Sequence, residues 1–253
     1  MKSIYIAIVL FFIIVLAIKG FSDITFSKLF MNDANNLENN QKNENKEKKQ
    51  PFRMFNLHLP DAKKYETDKL QLYILDNFLT KEECEKLITL IKSDLFPSTT
   101  TTGESNYRTS YSSNLTNTNH SDFIDSINKK ICKKMNIPSE YSRNMQGQHY
   151  SVGQEFKIHT DWFDPEKDTT QIGTQGNRTW TFMIYLNDVE EGGETYFRDI
   201  NYKFKPIQGR AIIWNNLLEN GDMNYNTNHA GLPIKKGEKV IITKWFREYS
   251  TVE

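Results

Sequence analysis

The chain has 253 residues and carries 32 basic and 32 acidic side chains, so its formal charge balances. That length holds one good-sized domain with appendages. The missing basic surplus gives no ground for expecting a nucleic-acid partner. Two cysteines, Cys84 and Cys132, make neither a disulfide framework nor a thiolate zinc site, although a single bridge between them is compatible with the sequence.

The first element is IYIAIVLFFIIVLAI at 4–18, uncharged and bounded by Lys2 and Lys19. As a helix it reaches about 22 Å, short of a hydrocarbon core of about 30 Å. Ser3, Gly20 and Phe21 can extend it, and the lysines can snorkel. Residues 1–21 are therefore expected to be an uncleaved membrane anchor. A cleaved signal peptide or a soluble core segment are the alternatives, and the KGFSD that follows lacks a small-x-small cleavage site. The flanking lysines do not settle orientation. DANNLENNQKNENKEKKQ at 33–50 is too polar to offset its ordering entropy. Residues 22–67 are read as a flexible polar linker, and 68–253 as the folded domain.

Within that domain, LQLYILDNFLTKEECEKLITLIKS changes period midway. Residues 70–75 read as a strand. Thr80 with Glu83 reads as a capping box, opening a helix with Leu87, Ile88 and Ile91 as its apolar stripe. A second helix is expected at about 121–135, with Phe123, Ile124, Ile127 and Ile131 on one side. From 145 onward HYSVG, TWTFMIYLN, ETYF, RAIIW and KVIITKWF form short β-runs divided by Gly, Asn and Pro. The fold class is thus mainly β with flanking helices, a sandwich or barrel rather than a parallel α/β sheet.

KIHTDWF at 157–163 carries the first chemical signal. In an extended segment His159 and Asp161 point the same way and can converge on one ion. Such a pair is weak by itself and needs a third ligand, for which His229 in NTNHAGLP is the candidate. Two histidines and a carboxylate form the facial arrangement of non-haem Fe(II) centres, with three positions left open. Ten residues after His229 comes Lys239. Strand alternation puts Lys239, Ile241, Thr243 and Trp245 on one face, and Val240, Ile242, Lys244 and Phe246 on the other. Thr181, Met183 and Tyr185 likewise oppose Trp180, Phe182, Ile184 and Leu186. The cationic, hydroxyl and aromatic face suits a pocket for a dicarboxylate beside an organic substrate. His58, His120 and His149 are read as structural or exposed.

The blocks HYSVGQEFKIHTD, GNRTWTFMIYLNDVEEGGETYF, FKPIQGRAIIW and HAGLPIKKGEKVIITKWFRE, with DNFLTKEECEKLI and YRTSY upstream, resemble the prolyl 4-hydroxylase family of 2-oxoglutarate- and Fe(II)-dependent dioxygenases. The resemblance spans about 70 to 250. It implies a double-stranded β-helix (jelly roll) catalytic domain with helices packed outside. It also implies a catalytic set of His159, Asp161, His229 and Lys239. The first three would hold iron, and Lys239 would pair with the distal carboxylate of 2-oxoglutarate. Tyr150, Tyr185 and Thr243 would lie near that co-substrate, Arg178 and Trp245 would face the peptide, and 98–113 would correspond to a mobile loop over it. L-ascorbate is a further implied cofactor.

The activity so implied is 4-hydroxylation of peptidyl proline with release of succinate and carbon dioxide. The alternatives are the same chemistry on lysine or another substrate, or a non-catalytic jelly-roll binding module. The implied partners are a proline-containing peptide or protein and, through the N-terminal segment, a membrane. The implied location is the endoplasmic reticulum or secretory-pathway lumen, and the oligomeric state stays open. Two positions depart from the family pattern. Phe156 stands where many relatives have tyrosine, and Arg247 where some have histidine, and both bear on substrate rather than on iron. Asn114-Leu-Thr and Asn177-Arg-Thr are glycosylation sequons, of which Asn114 is the expected acceptor if the domain faces a lumen.

Overall fold

The computed structural model describes residues 50–55, 57–100, 106–115 and 120–251. The proposed anchor and most of the proposed linker lie outside these residues. In chain order the elements before the catalytic blocks are β1 (Lys63–Lys64), β2 (Leu72–Leu75), α1 (Lys81–Ser93), β3 (Phe96–Pro97), β4 (Tyr111–Asn114) and α2 (Ser121–Met135). Then come β5 (Gln146–Tyr150), β6 (Phe156–His159), the single turn α3 (Thr169–Ile172), β7 (Arg178–Tyr185), β8 (Glu191–Gly192) and β9 (Thr195–Phe197). The chain closes with β10 (Tyr202–Phe204), β11 (Ala211–Asn215), β12 (His229–Gly231), β13 (Ile234–Lys236) and β14 (Lys239–Arg247).

The larger sheet runs β1-β2-β11-β7-β14-β5-β4-β3, and the smaller runs β10-β9-β12-β6. Neighbours within both are antiparallel, for example β14 with β7 and β12 with β6. A β13–β8 ribbon completes the strands. From β5 onward the chain crosses repeatedly between the two sheets (β5, β6, β7, then β9 and β10, β11, β12 and β14), which is the winding of a double-stranded β-helix.

Side-chain alternation sorts two apolar layers. Trp180, Phe182 and Ile184 of β7, then Leu186, join Val240, Ile242 and Phe246 of β14 in the layer beneath the helices. Met183, Tyr185 and Ile241 face the smaller sheet with Phe197, Phe204 and Trp214. Both faces are as the sequence period requires.

The helices dock on the outer layer. The Thr80 hydroxyl accepts from Glu83 N at 3.2 Å, and a Glu83 carboxylate oxygen accepts from Thr80 N at 2.8 Å. This satisfies two donors that a helix start leaves unpaired. Helix α1 buries Cys84, Leu87, Leu90 and Ile91, and α2 buries Ile124, Ile127, Ile131, Cys132 and Met135. Ile88 and Phe123 sit at the margin, packed against the core but only partly buried. A Cβ on Gly147 of β5 would run into Ile91 Cγ1, so the missing side chain lets α1 approach the sheet. Both thiols are free and buried, and burial pushes that of Cys84 up to about 11.

The expected linker ends too late. Leu57 and Leu59 are buried in the helix-side core. Trp180 Nε1 donates to Met54 O at 2.8 Å, and the Tyr73 hydroxyl donates to Leu57 O at 3.0 Å. Phe52 N donates to Glu248 O at 2.7 Å, and Arg53 pairs with Glu248 at 2.5 Å. The folded unit therefore starts at about residue 50. The apolar residues of PFRMFNLHLP bury themselves one or two at a time, so no regular period announces them.

Candidate metal centre and its cavity

Strands β6 and β12 pair so that His159 lies directly opposite His229. Their rings stand 4.2 Å apart, centroid to centroid. Asp161 follows β6 by two residues, and one ligand atom from each of His159, Asp161 and His229 lies within 4.8 Å of the others. Each imidazole has a fixed tautomer. His159 Nδ1 lies 2.8 Å from Lys157 O, and His229 Nδ1 lies 2.9 Å from Thr227 O. A carbonyl can only accept, so each Nδ1 carries a proton, and it is Nε2 that offers a lone pair in the neutral ring. That is the state a metal ligand needs.

Aromatic rings hold both imidazoles in place. His159 stacks on Phe156 at 3.5 Å, and His229 packs against Phe197 and Trp214. Burial, reinforced by the charge of His229, holds His159 well below the usual histidine range. For Asp161 burial opposes ionisation. The His229, Arg178 and His159 charges and the Thr181 hydrogen bond outweigh it and keep the carboxyl below its usual range.

Two residues that the sequence reading overlooked orient that carboxylate. The Thr181 hydroxyl donates to Asp161 Oδ2 at 2.7 Å, and Asn216 Nδ2 donates to Thr181 Oγ1 at 2.9 Å. The direction follows from chemistry. Ionised Asp161 cannot donate, so the single Thr181 proton points at it, and Thr181 must accept from the Asn216 amide. Only strand register brings these residues together, since β11 leads into Asn216 beside β7.

A cavity of about 650 Å³ opens beside the three ligand residues. Lys239, Tyr150, Thr243, Arg178 and Trp245 line it, as expected from the sequence. Lys239 is 1% exposed and donates to Gly193 O at 3.0 Å. Burial pushes its ammonium down to about 7, with Glu194 partly opposing. A Cβ on Gly231 would sit 3.1 Å from Lys239 Nζ, so the glycine leaves room beside the amine. The Tyr150 hydroxyl donates to Gln148 Oε1 at 3.0 Å, and Gln148 Nε2 donates to Thr243 Oγ1 at 3.2 Å. Gln148 had no signal in the sequence beyond its parity with Tyr150 on β5.

Tyr185 is a correction. Its hydroxyl lies 2.6 Å from Thr195 Oγ1 and 3.2 Å from Phe204 O, inside the apolar layer. Thr195, not Tyr185, lines the cavity. Alternation predicted its face correctly, but depth along that face depends on β9 and β10, which cover it. His149, read as structural or exposed, is partly buried, and its Nε2 meets Glu238 at 2.8 Å. Within the expected loop at 98–113, residues 111–113 belong to β4, and Ser110, Ser112 and Ser113 are buried. Thr99 and Thr100 do line the cavity.

Arg178 Nη1 donates to Asp161 O at 3.1 Å, and its guanidinium stacks 3.9 Å over the Trp245 ring. Arg178 Nε and Trp245 Nε1 are buried without a hydrogen-bond partner among the described residues. Arg108, also overlooked, lies 4.9 Å over Phe156 and donates to Ser110, Ser112 and Gln146.

Two imidazoles with Nδ1 turned to backbone carbonyls and an oriented carboxylate, set beside a buried amine within a double-stranded β-helix, define the class of 2-oxoglutarate- and Fe(II)-dependent oxygenases. Residues 145–247 match the family model described as the 2OG-Fe(II) oxygenase superfamily. The chain is 33% identical over 200 residues to prolyl 4-hydroxylase 13 of Arabidopsis thaliana, covering 70% of this chain and 71% of that one. It is 31% identical to a putative prolyl 4-hydroxylase of Acanthamoeba polyphaga mimivirus, covering 70% and 74%. Among solved structures, the viral collagen prolyl hydroxylase of Paramecium Bursaria Chlorella virus-1, in its 2OG complex, superposes with a TM-score of 0.56 at 31% identity. That likeness covers 70% of this chain and 95% of the other. The chain belongs to the prolyl 4-hydroxylase family of these oxygenases.

Proposed function

We propose that the protein hydroxylates peptidyl proline at the 4-position, using dioxygen and 2-oxoglutarate and releasing succinate and carbon dioxide. The observation that carries this reading is the convergence of His159, Asp161 and His229 within 4.8 Å, with both histidine tautomers set for ligation. Family membership supports Fe(II) and 2-oxoglutarate as the cofactor and co-substrate. When bound, the ferrous ion and 2-oxoglutarate supply the oxidising chemistry.

The chain's own groups do the rest. Nε2 of each histidine and Oδ1 of Asp161 offer three donors, leaving the remaining positions to the co-substrate and dioxygen. Lys239 has ammonium protons beyond the one given to Gly193, and a carboxylate beside it would restore the charge that burial disfavours. Tyr150, Gln148 and Thr243 present a polar wall next to it. The unpartnered Arg178 Nε and Trp245 Nε1 suit carbonyl groups of a peptide lying in the mouth. Phe156 and Phe163 help exclude water from the centre.

On sequence alone we also propose that residues 1–21 tether the domain to a membrane, with the domain in the secretory-pathway lumen. Protease protection of intact vesicles tests it. Asn114 is exposed, whereas Asn177 is 8% exposed with both amide atoms bonded to Phe163. Lumenal protein would thus carry any glycan on Asn114.

Incubation with Fe(II), 2-oxoglutarate and a proline-rich peptide tests the activity. Addition of one oxygen atom to proline, matched by succinate and lost in His229→Ala, is expected. Succinate formation without any proline product would defeat the substrate assignment.

A further inference from the structure

Around the cavity mouth, four guanidinium groups gather with few acids to balance them. Arg178 and Arg247 stand directly opposite each other on β7 and β14. Like charges in that position repel, yet both are kept, on either side of the Phe163 ring at 4.4 and 5.2 Å. Arg143 N donates to the backbone oxygen of cavity-lining Trp245, and the Arg143 side chain is exposed. Arg108 lines the cavity from the other side.

Their partners are mostly neutral. Arg108 bonds to hydroxyl, amide and carbonyl oxygens, and Arg247 to the carbonyls of Gln171 and Ile172. Of these four arginines, Arg178 alone comes within 4.0 Å of a carboxylate among the described residues, that of Asp161 at 3.9 Å. Under the reading above, that carboxylate is committed to the metal. Burial pushes Arg178 and Arg247 down to about 10. For Arg178, Asp161 and Asp168 oppose this while Arg108 and Arg143 reinforce it; for Arg247, Arg178 and Arg143 reinforce it and Glu248 opposes.

The nearby acids are largely occupied. Glu248 holds Arg53, and Asp164 pairs with Lys167 at 3.1 Å. Asp164 and Asp168 line the cavity; Asp168 accepts from Asp164 N and partly offsets Arg178, as Glu248 does Arg247. At the centre, a ferrous ion, 2-oxoglutarate dianion, Asp161 and Lys239 would cancel. The mouth therefore keeps a cationic surplus that a neutral peptide would leave uncompensated.

We infer that the mouth selects acidic peptides, with Asp or Glu flanking the proline that is hydroxylated. This rests on the peptidyl-proline reading and narrows its substrate class. The exposed Arg143 and half-buried Arg108 are positioned to meet such side chains, and arginine forks bind carboxylates with two parallel bonds.

The test uses the full chain with Fe(II) and 2-oxoglutarate. Three peptides, identical except that the proline is flanked on both sides by Glu, Gln or Lys, are compared by mass spectrometry. The kcat/KM for the Glu peptide is expected to exceed that for its Gln counterpart by about tenfold at low ionic strength. The advantage should shrink as potassium chloride is added, and the Lys peptide should rank last. Taking the Glu/Gln ratio within each variant cancels any general loss of activity. Arg143→Glu is expected to bring the ratio towards one, and Arg143→Lys to keep most of it. A ratio at or below one in the unaltered protein overturns the inference, as does a ratio indifferent to both salt and Arg143→Glu. Oxidation of none of the three overturns the peptidyl-proline reading itself, and the inference falls with it.

Discussion

Asp161 owes its orientation to a hydrogen-bond relay rather than to its place in the sequence. With Thr181 holding Oδ2, the carboxylate has one orientation in which Oδ1 would be the oxygen offered to a metal. Thr181→Val removes that restraint and is expected to weaken metal binding by about 10–100-fold, as loss of such outer partners does elsewhere. Anaerobic titration with Fe(II) or Co(II) measures it, and Thr181→Ser should restore most of the affinity. Lys239 carries the pH dependence. Burial lowers it from the ordinary lysine value to about 7, so the folded protein binds fewer protons than the unfolded chain between about pH 7 and 10.4. Stability without co-substrate therefore rises with pH across that window, and the cost of a buried cation is felt in full below it. Binding a carboxylate favours the charged form, so 2-oxoglutarate should bind tightest below about pH 7 and more weakly above. The rise in melting temperature caused by 2-oxoglutarate should accordingly be larger at about pH 6 than at about pH 9. An equal rise at both would remove Lys239 from the binding step.

At the level of elements, the helices serve the site indirectly. They cover the outer face of the larger sheet, so that β5, β7 and β14 can present their inner faces to the cavity. The capping box of α1 joins the two helices as well, because Glu83 also takes Lys130 of α2 at 2.7 Å. Thr80→Ala is expected to cost about 1 kcal/mol, read as a lower urea midpoint with an unchanged slope. Because the cap lies on the far side of the sheet from the centre, metal affinity should not follow it. On the smaller sheet one cross-strand pair brings the two imidazoles together. A slip of one residue would turn one of them away.

For the whole molecule, the segment from 50 to 59 acts as a strap across the outer core. It ties Leu57 and Leu59 to the helix layer and Arg53 to Glu248, close to the C-terminal end of β14. Glu248 in turn accepts from Asn177 N at 2.7 Å, next to Arg178. The strap thus braces the β7 and β14 ends that carry the cavity mouth. Leu57→Ala is expected to destabilise the domain by about 2–5 kcal/mol, measured by chemical unfolding. A domain begun at residue 68 should be less stable still.

The sequence by itself determined every feature governed by local period or local chemistry. It gave the α1 cap, the helix stripes, the two faces of β7 and β14, and the pairing of His159 with Asp161, because each depends on residues a few positions apart. Residue type and spacing made His229 and Lys239 candidates, and the resemblance of whole blocks gave them roles and added Arg178 and Trp245 as residues facing the peptide. Only the tertiary structure decided what meets across strands. It placed Asn216 behind Thr181 and Gln148 between Tyr150 and Thr243. It set the Tyr185 hydroxyl beneath Thr195, and Arg247 opposite Arg178. Alternation tells which face a side chain takes, but register and the covering sheet decide its depth and company, and those are properties of the assembled fold.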